Sequence, residues 1–155
     1  MSTLSTATIT TPALVGGRSL ISAGLFARLT ARIADEHPEL ATDMPARIMD
    51  QALAFLGTCA VATRPVGPSE TVDIGWHTFV LYTAEYAEFC TRVAGRFIHH
   101  VPDDDPTVSP VQVKLADVVA VITAAGYRVD PGLWPLEARS DCSQCHAGCH
   151  DTPVK

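Results

Sequence analysis

The chain has 155 residues, 47% hydrophobic and 18% charged, a balance that excludes a disordered chain and gives one domain length enough for a core. Its net charge of −6 argues against a nucleic-acid phosphate backbone as partner. No basic segment followed by an apolar run opens the sequence, and no apolar stretch is long enough to span a bilayer, so we expect a cytoplasmic protein with no membrane partner.

Residues 1–17, with Pro12 and the Gly16-Gly17 pair, read as a flexible lead-in. A helical domain is expected over 18–136 and a Cys/His-rich metal-binding tail over 137–155. From Ser19 to Glu36, Leu25, Leu29 and Ile33 recur four apart with Phe26 beside them, which predicts a first helix ended by Pro38. Thr42 or Asp43 caps a second helix with Pro45 in its first turn. Ile48, Ala52, Phe55, Cys59 and Ala62 form its apolar face, and Arg64-Pro65-Val66-Gly67-Pro68 is a rigid connector.

Ser69 caps the best-defined element. Val72, Trp76, Phe79, Thr83, Tyr86, Cys90 and Val93 alternate spacings of four and three, predicting one helix of about six turns closed by Gly95. Beyond Pro102, Asp103 to Asp105 read as a solvated loop without the liganding period of an EF-hand. A fourth helix is expected over Pro110 to Ala125, with Leu115, Val118, Val119 and Ile122 on one side and Gly126 as its stop. Tyr127-Arg128-Val129 should be extended and Asp130-Pro131-Gly132 a turn, with Leu133, Trp134 and Leu136 anchoring the chain before the tail. The predicted fold is all-α, a small bundle of about four helices with an extended Cys/His-rich C-terminal tail.

Chemistry concentrates in that tail, where Cys142, Cys145, His146, Cys149 and His150 fall within the run C-S-Q-C-H-A-G-C-H. Thiolate and imidazole bind zinc, iron and copper, and C-x2-C lets one ion take two sulfurs; the ligand types favour zinc over the other two. Cys142 to His146 also spells the C-x-x-C-H of c-type haem attachment, but that chemistry follows export and no export segment is evident. The bland alternative is a tail whose thiols are incidental.

A second constellation is Asp73, Trp76 and His77, followed by His99 and His100. Asp73 and His77 are four apart and share a helix face, so the carboxylate can fix the imidazole tautomer and leave one nitrogen for a metal or a proton. The plainer reading makes Asp73 a first-turn acid and His77 its partner at the core edge. Neighbours in an extended segment point to opposite faces, so one of His99 and His100 faces inward. Were that one to meet His77, the set would be two histidines and a carboxylate, suited to non-haem iron or catalytic zinc. Cys59 and Cys90, on apolar faces, read as buried small hydrophobes, and Tyr82 and Tyr86 as packing residues.

The stretch D-I-G-W-H-T-F-V-L-Y-T-A-E-Y-A-E-F-C, Asp73 to Cys90, resembles the Asp-x-x-Trp-His helix of the glycine-rich-domain-protein-like family. G-R-F-I-H-H-V-P, Gly95 to Pro102, and the Cys/His-rich ending look like those of its short actinobacterial members. The resemblance covers roughly Asp43 onward and implies an all-α domain without implying a reaction; with only ten glycines, this chain has no glycine-rich region.

Together these features lead to the expectation of a small metal-binding protein, zinc foremost, with Cys142, Cys145, His146, Cys149 and His150 as ligands and a core histidine such as His77 pinning the tail to the bundle. A rival expectation is a metal-dependent or biosynthetic accessory enzyme centred on Asp73, His77 and His99 or His100. A third is a carrier bundle presenting a redox-active or modified cysteine tail. The apolar face of the third helix also fits burial in a homodimer or against a partner protein.

Overall fold

In the computed structural model, residues 10–102, 113–140 and 142–144 are described, with residues 102 and 142–144 given as backbone. Among them are five helices: α1 (Ala23–Glu36), α2 (Met44–Cys59), α3 (Glu70–Leu81), α4 (Thr83–Ala94) and α5 (Leu115–Ala124). Two three-residue strands, β1 (His100–Pro102) and β2 (Cys142–Gln144), pair antiparallel. The protein is mostly helical, as its apolar periodicity predicts.

Helix α2 runs through the middle of the core. Every residue from Gln51 to Cys59 is buried, because α1, α3, α4, α5 and the entering chain pack around it. Helix α3 approaches it at Gly75, where a Cβ would stand 2.7 Å from the Ala52 methyl and 3.2 Å from the Ile48 carbonyl oxygen. Cys59 and Cys90 are sealed inside the core, as their apolar positions suggested.

Local chemistry sets the element ends. The Ser22 hydroxyl accepts from Leu25 N–H, so α1 begins at Ala23 rather than Ser19, after a 3₁₀ turn over Gly17–Leu20. The Ser69 hydroxyl caps α3 by accepting from Val72 N–H at 3.1 Å, and donates to the Leu133 carbonyl at 2.6 Å. Gly95 closes α4 with φ 68°, a left-handed conformation that costs glycine nothing.

Four expectations need correction. The lead-in is docked from Val15: its N–H donates to the Gly126 carbonyl, its own carbonyl accepts from Arg128 N–H, and Gly17 lies too close to the Asp50 and Ala54 backbone to carry a side chain. Leu136 is 53% exposed and anchors nothing; Leu133 and Trp134, both buried, do so. The long third helix is two helices, broken at Tyr82 (φ −88°, ψ 67°). Ten residues of continuous helix would rise about 15 Å, whereas the break brings the Tyr86 hydroxyl within 2.9 Å of the Trp76 indole nitrogen. A buried indole N–H needs an acceptor, and satisfying it outweighs helical continuity. The stripe continues across the break because both helices face one core, but Thr83 is exposed and Phe89 is buried in its place.

The fourth correction concerns the described start of the expected tail, which pairs with the domain. Leu115 N–H donates to the Ala138 carbonyl and Ser140 N–H to the Val113 carbonyl, and β2 then pairs with β1 in the register His100 with Gln144, Val101 with Ser143 and Pro102 with Cys142. Cys145, His146, Cys149, His150 and the acidic loop Asp103 to Asp105 lie outside the described residues.

Candidate metal centre

Three side chains from two elements converge beside the N-terminal half of α3. Asp73 stands in the first turn after the Ser69 cap, where the helix dipole favours a carboxylate. One turn on, His77 Nδ1 lies 3.0 Å from Asp73 Oδ2 and 2.9 Å from the Asp73 carbonyl oxygen. A carbonyl only accepts, so Nδ1 is the donor nitrogen of this contact. His100 arrives on β1, with Nε2 2.9 Å from Asp73 Oδ1. The two carboxylate oxygens thus each take one imidazole.

The strand places His100 by alternation. Ile98 is fully buried and its carbonyl accepts from the Tyr86 hydroxyl, so two residues later His100 returns to the same side. His99 takes the other side, against the Phe97 ring at 4.7 Å, bordering a separate groove with Ala87, Thr91 and Arg96. The expectation that one of the pair faces inward is met by His100. His99 belongs to no shared site with His77 among the described residues.

Burial grades the three groups. The Asp73 and His100 side chains are 16% and 13% exposed, whereas His77 is 63% exposed and forms the outer rim. Trp76 forms the floor, its ring centroid 4.3 Å from that of His100, and His77 and His100 are themselves 4.3 Å apart. Trp76 is held in turn, since its indole N–H donates to Tyr86. Burial, with Cys90 nearby, raises the Tyr86 hydroxyl well above its ordinary range, so it stays protonated and donates to Ile98. Tyr86 does more than the packing expected from its spacing: its hydroxyl orients the floor of the site. The signal in the sequence was two aromatics with polar handles on one stripe, Trp76 and Tyr86.

One donor atom from each of Asp73, His77 and His100 can be chosen so that all lie within 4.8 Å of one another. Such a set offers nitrogen and oxygen ligands to one ion, or a carboxylate that orients two imidazoles for proton transfer. A groove of about 300 Å³, bordered by Glu36, Glu70, Ile74 and Leu81, opens onto Asp73 and His77. No described helix is long and apolar enough to cross a membrane.

A helical domain with a carboxylate held between two histidines is the class these observations define. The family described as UCP032817-like matches residues 18–108, more than half of the chain, and the protein belongs to it. That span contains Asp73, Trp76, His77, Tyr86 and His100, and ends before the cysteine tail. No curated protein and no solved structure matches the chain.

Proposed function

We propose that the protein binds one divalent transition-metal ion, zinc foremost, at a centre made by Asp73, His77 and His100. The observation that carries this reading is the convergence of three potential ligands from α3 and β1 around one carboxylate. Zinc accepts nitrogen and oxygen donors at about 2.0–2.2 Å, and an ion replacing the shared ring protons would meet both imidazoles and the carboxylate. The Trp76–Tyr86 link supports it by fixing the ring beneath His100.

Metal analysis of anaerobically purified full-length protein tests the reading. About one equivalent of zinc or iron, lost in His77→Ala and Asp73→Asn, is the expected result. No metal, or metal unchanged in both variants, overturns it. Metal lost only on deletion of residues 140–155 would instead favour a centre built wholly from the tail, with Cys142, Cys145, His146, Cys149 and His150. No metal in any form would favour a carrier bundle with a thiol tail.

A metal-dependent enzyme is the second reading, favoured by the groove beside the site. Three protein ligands leave a position where an ion can polarise a substrate or activate water. Reduced tail thiols fit the cytoplasm, and a homodimer is compatible with either reading. The resemblance to the glycine-rich-domain-protein-like family adds a shared Asp-x-x-Trp-His segment, which contains two of the three ligands.

A further inference from the structure

We infer that the groove beside this centre binds a small primary amine that carries an oxygen donor a few bonds from its ammonium group. This rests on the reading of Asp73, His77 and His100 as a metal site. Glu70, Asp73, His77 and Leu81 recur three and four positions apart, so they share one face of α3 and wall a groove of about 300 Å³. Glu36, the last residue of α1, borders it from the neighbouring helix. Asp73 and His77 line this groove, whereas His100 and the Trp76 floor lie outside its lining. The position that three protein ligands leave open on an ion is therefore reached from the groove, past the exposed ring of His77.

Charge and spacing define what fits. Among the described residues no lysine or arginine lines the groove, while Glu36, Glu70 and Asp73 do. Arg32 holds Glu36 at 2.5 Å, His37 Nδ1 lies 3.2 Å from Glu39, and Asp73 belongs to the centre. Glu70 is the carboxylate left over, exposed and paired with no cation among the described residues. The negative end of the α1 dipole, at Glu36, also favours a cation here. Glu70 precedes Asp73 by one helical turn, a rise of about 4.5 Å. An ammonium on Glu70 and an oxygen on the ion therefore belong to one short molecule. Ile74, half-buried, and Leu81, exposed, supply apolar surface for a hydrocarbon branch.

Leucinamide carries all three parts, and 4-methylpentanamide is the same molecule without its amine. Calorimetric titration of the zinc-loaded full-length chain at about pH 7, where an α-amino group is mostly protonated, compares the two. Leucinamide should bind at least about fivefold more tightly, as a hydrogen bond to a charged group allows. Glu70→Gln should bring the two affinities within about twofold of each other, with zinc content unchanged. Removing zinc by chelation should weaken leucinamide in the wild type. With zinc held through Asp73 and His77, any of three results overturns this assignment alone: no leucinamide binding, a preference for the amine that survives Glu70→Gln, or equal binding after chelation. No zinc uptake, or uptake equal in His77→Ala, overturns the reading of the site itself and this assignment with it. Circular dichroism of Glu70→Gln identifies any loss that comes from unfolding.

Discussion

Asp73 Oδ1 and His100 Nε2 lie 2.9 Å apart although 27 positions separate the residues in the chain. Two elements have to be aimed for that contact to exist: α3, started by the Ser69 cap, and β1, released by the reversal at Gly95. The contact links a helix N-terminus to a strand, and His77 joins it from one turn further along α3.

The exposure of His77 gives the cleanest separation of folding from binding. His77→Ala in the metal-free protein should unfold within about 0.5 kcal/mol of wild type, as expected for a surface substitution. Asp73→Ala should be worse by about 1–3 kcal/mol, because it leaves the N–H of the mostly buried His100 without its acceptor. Urea unfolding of the chelated proteins checks both.

Tyr86→Phe removes an acceptor from the Trp76 N–H and a donor from the Ile98 carbonyl at once. Each orphaned buried group costs about 1–3 kcal/mol, so we expect a loss of about 2–5 kcal/mol. The Trp76 ring should also lose its fixed orientation over His100, and metal affinity should fall with it. Denaturant titration followed by tryptophan fluorescence, together with cobalt binding, measures the two effects.

Ser69→Ala deletes both the cap of α3 and the bond to Leu133. The expected destabilisation is about 1–3 kcal/mol, from the lost cap and the buried Leu133 carbonyl left without a donor. Hydrogen exchange at Val72 N–H should accelerate more than exchange in α5.

Acid sensitivity resides partly in the first turn of α2. Arg47 bonds Asp130 at 2.7 and 3.1 Å, and this guanidinium holds the Asp130 carboxyl below the usual carboxylate range against the opposing effect of burial. A carboxyl depressed by folding contributes stability that is complete above the ordinary aspartate value of about 3.9. That contribution drains as pH falls through the lower, folded-state value. Wild type should therefore exceed Asp130→Asn in stability at neutral pH, and the gap should close below about pH 4; paired thermal melts at several pH values show whether it does.

Caps and stops were legible in the sequence because they are local: Ser69 and Gly95 act through groups within a few residues. Strand alternation required that one of the adjacent histidines turn inward, but choosing His100 over His99 depends on Ile98 being buried, a fact of tertiary packing. The break at Tyr82 was illegible because the apolar period runs through it unchanged. What bends the chain there is a hydrogen bond between side chains ten positions apart. The pairing of β1 with β2 was hidden for a similar reason, since three-residue strands carry too little alternation to be seen and their partnership spans the whole of α5.

Gly75 lies between Asp73 and His77 along α3 and has no atom to spare on the side facing Ala52. The depth at which α3 sits on α2 is thereby set by the absence of a side chain, and the Asp73–His77 pair rides on that depth. A methyl at position 75 would push α3 outward and pull Asp73 off His100 unless position 52 shrank as well. Among relatives that keep the histidines, positions 52 and 75 should therefore change together: a larger residue at 75 is expected only where glycine replaces Ala52, and the double exchange Ala52→Gly with Gly75→Ala should restore metal binding that Gly75→Ala alone has lost.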